Sequence, residues 1–192
     1  MISILKYNAG NTASVQNAVV RLGFECQITD NPQLIKKSDK VIFPGVGHAL
    51  TAMNYLKERK LDVLIKELEQ PVLGICLGMQ LMCNYLEEGN LHGLGIFNAD
   101  VLRFPPADLV PHMGWNGLTG LKGTLFEGVT ENSDVYFVHS YYAGLTAETV
   151  AQCDYIQPFS AALQKNNFYA VQFHPEKSAA IGEQILKNFL SI

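Results

Sequence analysis

Cysteine is scarce in this chain and shows no pairing pattern. Four occur in 192 residues, Cys26, Cys76, Cys83 and Cys153, and no two form C-x-x-C. Their spacing offers neither a zinc site nor a disulfide framework. Basic charge is also limited. The chain has 14 Lys and Arg against 18 Asp and Glu, a formal charge of −4. No basic cluster exceeds two residues, which argues against a nucleic-acid surface and against an anionic membrane partner. No apolar run approaches the roughly 20 residues that span a bilayer. The apolar start, Met1 to Leu5, runs into Lys6 and Tyr7 without a cleavage-site pattern, so it reads as a first strand and not a signal peptide. Linkers rich in Gly and Ser, internal repeats and nucleotide- or phosphate-binding glycine motifs are absent too. The expectation is one cytosolic domain over residues 1–192, with no cofactor and no metal.

What is present alternates. Ile2–Tyr7, Phe24–Thr29, Lys40–Phe43 and Pro71–Ile75 read as strands, and helices are expected over Thr12–Leu22, His48–Lys60 and Asp62–Glu69. Gly23 stops the first helix. The second half turns strand-rich, over Ile96–Phe104, Val135–Tyr142, Val150–Tyr155, Ala161–Gln164 and Phe168–Phe173, with Asn166-Asn167 as a hairpin turn. A helix over Ala179–Leu190 ends the chain. This pattern predicts an α/β fold: a mostly parallel central sheet flanked by helices, with antiparallel strands in the second half.

One joint carries chemistry. Cys76 sits between the strand Pro71–Ile75 and a helix expected to run past Cys83, with Gly74 and Gly78 two residues away on either side. That is the G-x-nucleophile-x-G arrangement of a strand-to-helix elbow. The helix N-terminus beside the sulfur favours the thiolate. Cys83, two turns along the same face, is expected to pack against the sheet. Cys26 and Cys153 read as small core residues.

A cysteine nucleophile needs a base and a group to orient it. His174-Pro175-Glu176 follows the strand Phe168–Phe173, and parallel strands gather their C-terminal loops at one edge. His174 is the candidate base and Glu176 its orienting carboxylate. The Leu77 backbone N–H and the loop Pro44-Gly45-Val46-Gly47 are candidates for an oxyanion hole. Each part also has a plain reading: a buried thiol, a structural histidine, an ordinary loop, a surface carboxylate ahead of a helix. Their coincidence in one compatible topology favours the chemical one. Among the other histidines, His48 reads as a helix start, His92 as loop and His139 as structural. Trp115, the single tryptophan, is read in a loop flanked by Gly114 and Asn116, as a core or interface anchor.

Pro44-Gly45-Val46-Gly47, Gly74-Ile75-Cys76-Leu77-Gly78-Met79-Gln80 and Phe173-His174-Pro175-Glu176 together resemble class I (triad) glutamine amidotransferases. Pro111-His112-Met113-Gly114-Trp115-Asn116, Tyr136-Phe137-Val138-His139-Ser140-Tyr141 and Gly10-Asn11 are similar to the glutaminase subunits of imidazole glycerol phosphate synthases. The resemblance implies hydrolysis of L-glutamine to glutamate and ammonia through a Cys76 thioester, with His174 and Glu176 completing the triad. It further implies Val46 or Gly47 with Leu77 as the oxyanion hole. Gln80 and Glu88 would hold the substrate, Glu88 at its α-ammonium group, and main-chain groups near Ser140 and Tyr141 would hold its carboxylate. Trp115 and Tyr136 would face a (β/α)8-barrel cyclase subunit in a heterodimer of histidine biosynthesis. The alternatives are a class I glutaminase serving another acceptor enzyme, and a non-catalytic binding module on the same fold.

Overall fold

The computed structural model describes residues 1–192. The parallel half runs β1 (Ile2–Leu5), α1 (Thr12–Arg21), β2 (Cys26–Thr29), α2 (Pro32–Lys36), β3 (Lys40–Gly45), α3 (Ala49–Glu58), α4 (Leu61–Lys66), β4 (Val72–Cys76) and α5 (Leu77–Leu81). Next come β5 (Tyr85–Leu86), β6 (Leu91–His92), β7 (Asp100–Arg103), β8 (His112–Gly117), β9 (Asp134–His139), β10 (Tyr141–Ala143), β11 (Thr149–Tyr155), β12 (Gln157–Lys165), β13 (Phe168–Val171) and α6 (Ala179–Ser191).

The central sheet has the order β11-β12-β13-β4-β3-β1-β2. Its last five strands are parallel, and β11 and β12 extend it antiparallel. β3, β4 and β13 are buried along their lengths, apart from the first residue of β3. This is why they read as continuous apolar runs rather than alternations. One core lies on each face, and the larger aromatics divide between them: Phe43 and Phe97 on one side, Phe137, Phe159, Phe173 and Phe189 on the other. The expected Asn166-Asn167 turn joins β12 to β13, with Asn166 at φ 53°. No helix is long and apolar enough to cross a membrane.

Four expectations need correction. The helix after Cys76 ends at Leu81, so Cys83 lies beyond it, buried, with its thiol donating to the Met79 carbonyl at 3.5 Å. The helix stops because the segment 94–97 takes over its end. The N–H groups of Leu94, Ile96 and Gly95 donate to the carbonyls of Leu81, Met82 and Cys83. Residues 96–97 are committed to that contact, so the strand expected from Ile96 begins only at Asp100. The single strand expected over Val135–Tyr142 is two strands. It breaks at Ser140, where the chain leaves its pairing with β8 and joins β7. Trp115 lies in a strand, β8, opposite Tyr136 of β9, and not in a loop. The structure also adds the short helix α2, which Asn31-Pro32 encodes: the Asn31 side chain accepts from the N–H groups of Gln33 and Leu34.

Candidate active site

Cys76 ends β4 and begins α5 with φ 53° and ψ −108°, a positive-φ conformation that a residue with a side chain rarely adopts. The surroundings impose it. Strand and helix meet so closely at the elbow that a Cβ on Gly78 would lie 1.8 Å from the Phe43 carbonyl oxygen. Only glycine lets the first turn of α5 sit on β3. The Cys76 side chain is 7% exposed at the end of the sheet.

The strand order delivers its neighbours. β3 and β13 flank β4, so the segments leaving their C-terminal ends, Val46-Gly47 and His174-Pro175-Glu176, meet at Cys76. The His174 side chain is 1% exposed and that of Glu176 0%, which overturns the plain reading of Glu176 as a surface carboxylate. Nδ1 of His174 lies 2.9 Å from Oε1 of Glu176. Nε2 has no hydrogen-bond partner in the protein. Burial alone would lower the pKa of this ring. The facing Cys76 sulfur and the hydrogen-bonded Glu176 carboxylate, with their charges, outweigh burial and raise it to about 10. The ring thus favours the imidazolium, the partner a thiolate requires.

A cavity of about 330 Å³ opens in front of Cys76. Val46, Gly47, Leu77, Gln80, Glu88, Ser140 and Tyr141 all line it, so every residue expected in the oxyanion hole or substrate pocket is brought together. The N–H groups of Val46 and Gly47 have no acceptor in the protein, and Gly47 adopts φ 121°. Glu88 Oε2 accepts from the Ala49 N–H at 2.7 Å, at the N-terminus of α3, and its other oxygen takes no protein hydrogen bond. Gln80 is more tightly engaged. Its Nε2 donates to the Tyr141 carbonyl at 3.1 Å and to Gln172 Oε1 at 3.0 Å.

Three contributors have roles that the sequence reading does not assign. Asn11, at φ 75° before α1, donates its side-chain amide to Glu176 Oε1, which leaves Oε2 buried without a partner. Gln172, fully buried, points Nε2 at the Cys76 sulfur at 3.6 Å. Tyr7 has a buried, unpaired hydroxyl, and burial followed by the charge of Cys76 pushes its pKa well up. The one available signal is polarity out of place: Gln172 interrupts an otherwise apolar strand end.

Trp115 and Tyr136 stand away from the cavity. Trp115 is 54% exposed and meets the half-buried Tyr136 edge-on, ring centroids 6.0 Å apart. Their link to the site is through the backbone. The His174 N–H donates to the Tyr136 carbonyl at 2.9 Å, and the Tyr136 N–H donates to Ser178 Oγ at 2.9 Å.

Comparison with known proteins identifies the family. The family model "Glutamine amidotransferase class-I" matches residues 4–192. A protein of Bacteroides fragilis named imidazole glycerol phosphate synthase subunit HisH is 59% identical, over 100% of this chain and 99% of its own length. The Escherichia coli K12 protein of the same name is 46% identical over the same shares. Among solved structures, a glutamine amidotransferase from Thermotoga maritima superposes with a TM-score of 0.67 at 16% identity, covering 99% of this chain and 82% of that one. PurLQS from Thermotoga maritima gives 0.72 at 15% identity, covering 99% and 97%. The distant structures share the fold. An elbow cysteine beside a buried His–Glu pair, a family model spanning nearly every residue and full-length relatives of one name converge, and this chain belongs to the class-I glutamine amidotransferases, within the imidazole glycerol phosphate synthase HisH subunits.

Proposed function

We propose that residues 1–192 act as one glutaminase domain in which Cys76 attacks the carboxamide carbon of L-glutamine. His174 takes the thiol proton and passes it to the leaving nitrogen, so ammonia departs and a γ-glutamyl thioester remains. Water then attacks the thioester with His174 as base, and glutamate leaves with the Cys76 thiol restored. Glu176 and Asn11 hold the His174 ring in register. The observation that carries this reading is the positive-φ Cys76 elbow facing a buried histidine held at 2.9 Å by a buried carboxylate. The free N–H groups of Val46 and Gly47, with that of Leu77, are suited to the tetrahedral oxyanion. The unengaged oxygen of Glu88 is suited to the substrate ammonium. The main chain at Ser140 and Tyr141 is suited to its carboxylate.

Ammonia made here serves a second protein. The partner of this reading is a (β/α)8-barrel cyclase, docked as a heterodimer over Trp115 and Tyr136, which uses the ammonia to form imidazole glycerol phosphate and aminoimidazole carboxamide ribotide. Exposed Trp115 packed edge-on against Tyr136 supports a docking face there. The cytosol is the compartment this reading assigns. The test is glutamate release from glutamine, by the chain alone and with the cyclase plus its ribonucleotide. Release that rises in the complex and vanishes in Cys76→Ala is expected. Release indifferent to the cyclase directs the ammonia to another acceptor, and release that survives Cys76→Ala removes the thioester.

A further inference from the structure

Two histidines away from the triad form a buried chain that ends in the substrate cavity. His139 Nδ1 lies 2.7 Å from the Tyr141 carbonyl oxygen, and His139 Nε2 lies 3.0 Å from His112 Nδ1. Both rings are buried, at 6% and 4% exposure. The direction of every bond follows from its ends. A carbonyl only accepts, so His139 carries its proton on Nδ1. Its Nε2 is then an acceptor, and His112 supplies the proton from its own Nδ1. Beyond it, the Asn116 amide nitrogen approaches His112 Nε2 at 3.5 Å. That amide is oriented independently: its oxygen accepts from the Gly117 N–H at 2.8 Å and its nitrogen donates to the Asp154 carbonyl at 3.1 Å. Stacking of His112 between Tyr155, at 3.9 Å, and Phe137, at 4.8 Å, fixes the ring planes. Burial keeps both rings neutral, with pKa values of about 4 for His112 and about 3 for His139.

The carbonyl at the end of this chain matters because of where it lies. Ser140 is the break between β9 and β10, where the chain passes from one sheet to another; its carbonyl accepts the Phe104 N–H at 3.0 Å, at the end of the β7–β10 pairing. Tyr141 pairs with Arg103 of β7, while its carbonyl takes two side-chain donors, His139 Nδ1 and Gln80 Nε2. Removing one leaves the acceptor half-satisfied and loosens the cavity side of the turn, whose other side is held by β7.

We infer that His139, held by His112, is a positioning residue for glutamine: its Nδ1–H fixes the Ser140–Tyr141 turn whose main chain receives the substrate carboxylate. The inference rests on the glutaminase reading. It assigns His139 no proton transfer and no contact with the reacting carbon. Its effect therefore falls on binding that ground state and transition state share, which raises KM and leaves kcat nearly unchanged.

The experiment compares His139→Asn with His139→Gln in the complex with the cyclase. The Asn amide places an N–H near the lost Nδ1, and the Gln amide places one near Nε2. KM for glutamine is expected to stay within about twofold of the parent in His139→Asn. In His139→Gln it is expected to rise about five- to tenfold, with kcat held within about twofold. Equal KM in both variants, or a loss confined to kcat, overturns the proposal. Should either variant fail to fold, nitrogen-15 spectra of the unsubstituted chain decide. They are expected to show His139 and His112 as neutral Nδ1–H tautomers at pH 7, with the His139 Nδ1 signal moving on addition of glutamine. An Nε2–H tautomer at His139, or a signal blind to glutamine, overturns it. If the unsubstituted complex releases no glutamate, the glutaminase reading itself fails, an outcome separate from all of these.

Discussion

Two histidine sites adjoin this one catalytic corner, and burial has taken them in opposite directions. His174 and His139 are both nearly inaccessible, yet the first is raised to about 10 and the second lowered to about 3. The difference lies in what replaces water. His174 is given a buried carboxylate at 2.9 Å and a thiol, both of which can bear negative charge. His139 is given a carbonyl and another neutral imidazole, so its only means of escaping the cost of burial is to stay uncharged. One environment builds a proton shuttle and the other a rigid strut.

Removing the carboxylate should erase the contrast. Glu176→Gln is expected to lower kcat about 10⁴-fold, as loss of a triad carboxylate does, and to bring the His174 pKa down toward neutrality, read by nitrogen-15 titration. An unchanged pKa would mean that Cys76 alone holds the ring charged. Next in size, Gly78→Ala strikes the elbow and spares the histidine pair. With a Cβ 1.8 Å from the Phe43 carbonyl, the variant should lose about 3 kcal/mol or more, read as a fall in urea midpoint.

Acid strikes the other site. His112 and His139 have folded pKa values of about 4 and about 3, below the ordinary value of 6.5. The unfolded chain therefore binds more protons there. Their contribution is present above pH 6.5 and lost as pH falls toward 4 and then 3, at up to about 1.4 kcal/mol per pH unit for each ring. His174 has the opposite sign: its contribution is complete below pH 6.5 and lost as pH rises through 10. Denaturant midpoints from pH 4 to 6.5 should rise less steeply in His139→Asn than in the parent. The smallest effect belongs to Trp115→Ala, at the exposed edge of the hairpin that carries the histidine pair. It should weaken cyclase binding by about 1–2 kcal/mol and leave both histidine pKa values in place.

These sites also differ in how much of them the sequence discloses. The elbow is legible because its demands are local. Gly74 and Gly78 bracket Cys76 within five residues, and the steric reason for Gly78 is the adjoining strand. His174-Pro175-Glu176 is legible for the same reason, since two residues carry the whole His–Glu contact. Asn11, Gln172 and the His112–His139 chain are not. Their roles depend on which strands lie side by side, and Asn11 reaches Glu176 across 165 positions. The break at Ser140 and the early end of α5 are likewise made by partners distant in the chain, β7 and the segment 94–97. The parallel half is readable strand by strand because its buried runs are continuous. Local pattern does not show that the later strands divide among three sheets.

The most direct test of the account is acid-quenched mass spectrometry of the complex during glutamine turnover. A γ-glutamyl group is expected on the peptide carrying Cys76, absent from those carrying Cys26, Cys83 and Cys153, and accumulating when the thioester is hydrolysed more slowly than it forms. Steady turnover with Cys76 free at every time point, and undiminished in Cys76→Ala, would contradict it.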